Sequence, residues 1–130
     1  MEPTFHEYYP FDEEKQRAQV TMGRYTDKWS LLAILLLREG PQRFNAMKRA
    51  LKPISQQVLS STLAGMERDG IVIRTVLPTT PPGVEYRLSE LGHSLAEPFL
   101  ILGQWVMDNM ADIEKAQQRY DERVKAAKGF

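Results

Sequence analysis

The stretch ISQQVLSSTLAGMERDGIVIRTVLPTTPPGVEYRLSELG, residues 54–92, carries the strongest structural signal in the chain. It predicts a helix, a short basic strand, a proline-rich turn, a second strand and the start of another helix, in that order. A winged helix requires this order, because one helix lies in a DNA groove while the hairpin beside it reaches the phosphate backbone. The stretch therefore indicates DNA binding as well as a fold.

The first helix of this stretch has two chemically different faces. Ser55 is its predicted N-cap and Gly70 its predicted end, since serine caps helices well and glycine tolerates the backbone that follows them. Its apolar face consists of Val58, Leu59, Thr62, Leu63 and Met66. Its opposite face consists of Gln57, Ser60, Ser61, Ala64 and Arg68. Short and mostly uncharged side chains let a helix approach base edges, so the second face predicts contact with DNA.

The hairpin that follows has predicted strands at Ile71–Leu77 and Val84–Leu88, joined by a turn at Pro78–Gly83. Proline stiffens the turn, so Thr79 and Thr80 could be presented to a phosphate at low entropic cost. A plain turn that contacts no ligand is the alternative.

Three helices are predicted upstream, after an irregular arm formed by the first ten residues. The first is polar and runs from Asp12 to about Met22. The second runs from Lys28 to Arg38, is capped by Asp27 and ends at Gly40-Pro41, with an inward face of Trp29, Leu32, Ala33, Leu36 and Leu37. The third runs from Arg43 to Leu51, with Phe44, Met47 and Leu51 inward and Lys48 and Arg49 outward.

A long helix is predicted downstream, from Ser89 towards Met110, with Pro98 as a bend. Beyond it, residues recur at alternating spacings of three and four, as in a coiled-coil seam: Met110, Ile113, Gln117, Tyr120, Val124 and Ala127. This pattern predicts pairing with a partner helix.

Composition excludes several classes of function. A chain of 130 residues suits one domain with a tail, and the absence of cysteine removes disulfides, zinc–thiolate sites, thiol nucleophiles and thiol switches. The longest apolar run, Leu31–Leu37, is too short to span a bilayer, and the acidic N-terminus is unlike a signal peptide. We therefore expect a cytoplasmic protein that does not enter a membrane and needs no metal or other cofactor.

The net charge is zero, but the charge is unevenly distributed. Residues 38–87 carry eight bases and four acids, whereas residues 1–15 carry one base and five acids. Because the local field of the contacting face decides whether a surface meets phosphates, the basic middle is compatible with a DNA partner.

Four stretches together resemble the HxlR-type winged helix-turn-helix regulators, dimeric bacterial transcription factors related to the MarR group. These stretches are DKWSLL at 27–32, GPQRFN at 40–45, ISQQVLS at 54–60 and PPGVEYRL at 81–88. The resemblance covers Phe11 to Asp108. It implies a mainly α fold with a small β-hairpin, divided into an arm (1–10), a winged helix-turn-helix DNA-binding domain (11–108) and a C-terminal dimerisation helix (109–130).

The resemblance also implies roles for particular segments. Arg43–Leu51 would be the supporting helix, Ser55–Asp69 the recognition helix and Arg74–Arg87 the wing, while the terminal helices would form a homodimer on an inverted-repeat operator. The implied DNA-binding residues are Arg43, Lys48, Arg49, Ser55, Gln56, Gln57, Ser60, Ser61, Arg74, Thr79 and Thr80. The implied dimer residues are Phe99, Leu102, Trp105, Met110, Ile113, Gln117, Tyr120 and Val124.

Two departures from the family pattern bear on function. Many members carry a cysteine near the N-terminus, and some of them sense oxidants or electrophiles through it. This chain has Lys15-Gln16-Arg17 in that neighbourhood, so thiol sensing does not transfer. Gly83 stands at a wing position where members often have arginine, which predicts a weaker wing contact.

Two other interpretations compete with a DNA-binding regulator, and effector binding is an additional hypothesis that is compatible with one. An enzyme is disfavoured, because neither His6 nor His93 has triad or metal-ligand spacing around it. A winged helix used for protein interaction would carry apolar residues on the face that here holds Gln57 and Ser60. A small apolar or aromatic effector could be bound by Trp29, Phe99, Trp105 and Tyr120, although aromatics at helical spacing more often fill a core or a dimer seam.

Overall fold

The computed structural model describes residues 13–129, except for the side chains of Glu14 and Lys15. In chain order its elements are α1 (Glu13–Tyr25), α2 (Lys28–Arg38), β1 (Gln42–Arg43), α3 (Phe44–Ala50), α4 (Gln56–Arg68), β2 (Val72–Leu77), β3 (Gly83–Leu88) and α5 (Glu90–Lys128). The chain divides into two compact units, which meet in sequence between Ala96 and Glu97. The mainly α fold with a small antiparallel sheet is as predicted; the N-terminal arm lies outside the described residues.

The sheet has three strands in the order β1-β3-β2, one more than the sequence predicted. The hairpin of β2 and β3 pairs Arg74 with Tyr86, and β1 adds to its other side by pairing Arg43 with Glu85. Arg43 was expected to begin a helix, but its backbone is extended, with φ −79° and ψ 154°, and the helix starts at Phe44. A strand of two residues has no periodicity to reveal it.

The predicted helix caps are confirmed. The Asp27 carboxylate accepts hydrogen bonds from the backbone N–H groups of Trp29 and Ser30, and the Ser55 hydroxyl accepts one from Val58. Gly70 follows α4 with φ +75°, in the left-handed region that glycine adopts without a steric penalty. The boundaries of α2 and α4 therefore follow from local chemistry.

The core of the first unit is formed by Ile34, Leu37, Met47, Leu59, Leu63, Met66 and Val72. The predicted inward face of α2 is partly wrong: Trp29, Leu32 and Leu36 are only half-buried, whereas Ser30 and Ile34 are buried. An almost wholly apolar helix does not specify its buried side, and contacts with α4 and β3 decide it here. Val58, predicted to be inward on α4, is 39% exposed.

A single helix, α5, spans the region where a long helix and a separate seam were predicted. It continues unbroken past Met110 to Lys128, and Pro98 lies inside it. The predicted cap is confirmed, since the Ser89 hydroxyl accepts the Gly92 N–H at 3.0 Å and donates to the Gly70 carbonyl at 2.6 Å. Ser89 therefore joins the start of α5 to the end of α4.

We expect Gly92→Ala to lower the free energy of unfolding by about 1–3 kcal/mol, because a Cβ there would overlap the backbone carbonyl oxygen of Ile71 and lie 3.0 Å from Leu88 Cδ2. Urea denaturation followed by circular dichroism measures this loss. Gly103→Ala is the matched control in the same helix, since nothing within the described chain lies within 4 Å of its added Cβ. Equal stability of Gly92→Ala and the wild type would contradict the close packing of α5 on Ile71.

Candidate nucleic-acid interface

A polar groove with a volume of about 890 Å³ lies between β1, the start of α3, the start of α4 and the loop that joins β2 to β3. Six of the eleven residues predicted to contact DNA line it: Arg43, Arg49, Gln56, Ser60, Thr79 and Thr80. These residues come from three separate segments of the sequence. The fold therefore brings the supporting helix, the predicted recognition helix and the wing loop to one surface.

The exposed face of α4 carries the other predicted contacts from that helix. Ser55, Gln57 and Ser61 are exposed, while Leu59, Leu63 and Met66 are buried on the opposite side. The Ser55 hydroxyl accepts the Val58 N–H at 3.1 Å, which leaves its own hydrogen available to a ligand. The outward face is thus small and polar, as the sequence predicted.

Cations flank this groove on α3. Lys48 and Arg49 line a smaller recess of about 290 Å³ together with Lys52, and Arg49 lines the main groove as well. Arg74 is exposed on β2. Glu85 is the one acid that lines the main groove, so the surface is positive where phosphates would approach.

The positive charge that Gly83 does not supply is provided nearby by Arg43, on the neighbouring strand β1. A Cβ added to Gly83 would lie 3.4 Å from Nη1 of Arg43, so the Arg43 guanidinium lies against the start of β3. The sequence showed only that Gly83 is not arginine. The pairing of β1 with β3 supplies a positive charge close to that position.

The hydroxyl of Thr79 is engaged within the wing loop. It donates a hydrogen bond to the Pro81 carbonyl at 2.9 Å and accepts one from the Gly83 N–H at 3.1 Å. A hydroxyl has one hydrogen to donate, and that of Thr79 is used within the loop. Thr80 is therefore the better placed of the two to donate a hydrogen bond to a phosphate.

The predicted dimer residues all lie on α5, in the second unit. Four of them are exposed, namely Leu102, Trp105, Gln117 and Tyr120, and the other four are half-buried, namely Phe99, Met110, Ile113 and Val124. Three of the four aromatics predicted to line an effector site belong to this helix, whereas Trp29 belongs to the first unit, with the Lys28 ammonium 4.8 Å from its ring centre.

Sequence reasoning missed one cluster, which joins Arg24 and Tyr25 at the end of α1 to Asp69 at the end of α4. Two signals pointed towards it. Gly65 interrupts a strongly amphipathic helix, which often marks a close approach of another group. Asp69 places a carboxylate at a helix C-terminus, where the helix dipole disfavours it.

Among residues 13–129, no group of three or more His, Cys, Asp or Glu side chains is arranged to hold a metal ion. The same residues include no helix with the length and hydropathy that a membrane-spanning segment requires.

Comparison with known proteins identifies the family. The HxlR-like helix-turn-helix family matches residues 25–114. The HTH-type transcriptional regulator YtfH of Escherichia coli (strain K12) is 34% identical over 100 residues, which cover 77% of this chain and 79% of YtfH. These relatives are transcriptional regulators and not enzymes, as the sequence predicts.

Solved structures agree in fold. The transcriptional regulator ytfH of Salmonella typhimurium superposes with a TM-score of 0.72 at 28% identity, covering 78% of this chain and 90% of that one. The redox regulator HypR in its reduced form superposes with a TM-score of 0.69 at 32% identity, covering 76% and 98%. The chain therefore belongs to the HxlR family of winged helix-turn-helix transcriptional regulators.

Proposed function

We propose that this regulator binds an inverted-repeat operator in double-stranded DNA as a homodimer, with the recognition helix (55–69) in the major groove and the wing (74–87) on the backbone. The observation that carries the proposal is the polar groove, which gathers six predicted contacts from three segments of the chain. A two-fold dimer would present two such grooves to half-sites about one DNA turn apart, or a multiple of one turn.

Base reading is assigned to the start of α4. Gln56 and Gln57 are exposed there. A glutamine side chain can make two hydrogen bonds to one adenine, because its amide nitrogen donates to N7 while its amide oxygen accepts from the N6 amino group. Ser60 and Ser61 lie one turn further along the helix and suit bases or phosphates. Acidic side chains are absent from the first turn of α4, so nothing there repels the DNA.

Phosphate contacts are assigned to the groove's cations and to the wing. Arg43, Lys48, Arg49 and Arg74 would neutralise phosphates, and Thr80 would donate a hydrogen bond. Ser55 would donate its free hydrogen while it caps α4. Thr79 would act indirectly, by holding the loop that presents Thr80.

Homodimerisation is assigned to α5. Leu102, Trp105 and Tyr120 are each more than half exposed in the single chain, and a set of large apolar side chains exposed on one helix is typical of an interaction surface. The alternating spacing from Met110 to Val124 favours a helical partner of the same kind.

The signal that this regulator answers must differ from the oxidation of its own cysteines, because the chain has none, although a similar structure, HypR, is described as a redox regulator. Binding of a small apolar or aromatic effector stays a prediction from the sequence. The alternative of a protein-interaction module is disfavoured by the polar outward face of α4.

Selection of duplexes from a random pool tests the proposal directly. We expect the wild type to recover an inverted repeat, and we expect Gln57→Ala to lose about 1–3 kcal/mol of binding free energy on that duplex and little on a scrambled one. Gln118→Ala, an exposed glutamine on α5, is the matched control. Equal losses of Gln57→Ala on both duplexes would remove Gln57 from base reading, and recovery of no consensus would contradict operator binding.

Arg49→Ala should weaken binding to the selected and scrambled duplexes alike and reduce the slope of log Kd against log salt by about one, because one phosphate contact is lost. Fluorescence anisotropy at several salt concentrations measures the slope, with Arg119→Ala as the control. An unchanged slope would show that Arg49 contacts no phosphate, and a flat response of the wild type would favour the protein-interaction alternative.

Leu102→Glu should shift the protein from dimer to monomer in sedimentation velocity across a dilution series, because a carboxylate would be buried without a partner in the proposed dimer interface. Val76→Glu is the control, because Val76 is about as exposed as Leu102, at 57% against 52%, but lies on β2 and not on the helix proposed to form the interface. A monomeric wild type, or a Leu102→Glu dimer as stable as the wild type, would contradict the assignment of the interface.

A further inference from the structure

The last turn of the recognition helix is held by two side chains of α1. Asp69 is the C-cap of α4, and its Oδ2 accepts a hydrogen bond from the Tyr25 hydroxyl at 2.7 Å. Nε of Arg24 lies 2.9 Å from the same oxygen. The Asp69 clamp, defined as Arg24, Tyr25 and Asp69, thus joins residues that are more than forty positions apart in sequence.

The negative charge of Asp69 at the end of α4 is compensated by side chains of α1. A helix C-terminus carries partial negative charge, so a carboxylate at Asp69 is unfavourable on α4 alone. The guanidinium of Arg24 and the phenol of Tyr25 supply the compensating positive charge and donated hydrogen bond, and both come from α1. In the described part of the chain the Arg24 Nε–H makes no directed hydrogen bond, so its attraction to Asp69 is mainly Coulombic.

Tyr25 remains a donor over the whole physiological range. Burial raises the pKa of its hydroxyl well above the usual value, and the hydrogen bond to Asp69 raises the pKa further. A phenol with a raised pKa stabilises the fold below its ordinary pKa near 10, and this contribution is lost only as the pH rises through the folded value. Tyr25 therefore keeps the hydrogen that it donates to Asp69 at neutral pH.

The absence of a side chain at Gly65 leaves space for Arg24 against the recognition helix. A Cβ added to Gly65, in the third turn of α4, would overlap the Arg24 guanidinium. Glycine is poorly suited to a helix interior, so its presence here is explained by the close approach of Arg24. Arg24 thus lies across α4 at Gly65 and ends at Asp69.

We propose that the Asp69 clamp, seated on Gly65, sets the tilt of the recognition helix and so determines operator specificity without touching DNA. This rests on the proposed function. Gln57 lies twelve residues before Asp69, which at the helical rise is roughly 18 Å, so a tilt of about 10° around the C-terminal end would move Gln57 by roughly 3 Å. A bidentate contact to a base tolerates far less displacement than this, whereas phosphate attraction depends weakly on position.

Gly65→Ala tests the clamp without removing any of its charges. The added Cβ must displace the Arg24 guanidinium, although alanine favours the helix more than glycine does. We expect affinity for the wild-type selected duplex to fall by about tenfold or more and affinity for a scrambled duplex to change by less than about threefold. Gly23→Ala is the matched control, since a Cβ at Gly23, in α1, meets nothing within 4 Å in the described chain.

A double-mutant cycle separates positioning from simple stabilisation. In an Arg24→Ala background there is no guanidinium for the Gly65 Cβ to displace, so we expect Gly65→Ala to have no further effect on the ratio of the two affinities. Asp69→Asn and Tyr25→Phe should lower the ratio in the same direction as Gly65→Ala. Affinities are measured by anisotropy well below the thermal midpoint of each variant, with circular dichroism to verify folding.

The outcomes distinguish the clamp from the proposed function. If the clamp variants lower only the thermal midpoint and keep the wild-type affinity ratio, the clamp is structural and the inference is overturned. If Gly65→Ala lowers the ratio equally with and without Arg24, the displaced guanidinium is not the cause, and the inference is again overturned. If the wild type itself does not discriminate between duplexes, the proposed function fails in the first arm, before any variant is compared.

Discussion

Burial of one side of α4 is the constraint on which the rest of the structure depends. Leu59, Leu63 and Met66 have no exposed surface in the described chain, and they pack towards α2 and β2. Once these three side chains are buried, the helical period turns Gln57, Ser60 and Ser61 outward, because residues of the two sets lie on opposite sides of the helix. The surface available to DNA is thus a consequence of how the core is packed.

The two-residue strand β1 extends this consequence to the neighbouring elements. By pairing with β3, it attaches the beginning of α3 to the wing, and Arg43 comes to lie beside Gly83. The groove is closed on one side by this pairing and on another by the loop that Thr79 holds together. A charge missing from the wing in the linear sequence is therefore present near it in the folded protein.

This chain contains no cysteine, so oxidation of its own thiols cannot be a signal that it answers. In the described structure, two connections between helices meet at the C-terminal end of α4, beside Gly70. Ser89 joins α5 to the end of α4, and Arg24 and Tyr25 join α1 to the same end. A signal that acted on either helix could reach the recognition helix through contacts that do not include DNA.

Local chemistry in the sequence was enough to determine the order of the helices and of the two hairpin strands, the caps at Asp27, Ser55 and Ser89, and the polar face of α4. Each depends on side chains within one turn or on a repeat of fixed period, so neighbours in sequence carry the information. The tertiary structure alone decided three other features: the buried side of α2, the strand at Arg43, and the cluster of Arg24, Tyr25 and Asp69. Partners distant in sequence define all three features. The apolar helix α2 has several equivalent sides, and a strand of two residues has no periodicity. Gly65 and Asp69 indicate a close approach to α4, but they do not identify the side chains that make it from more than forty positions away.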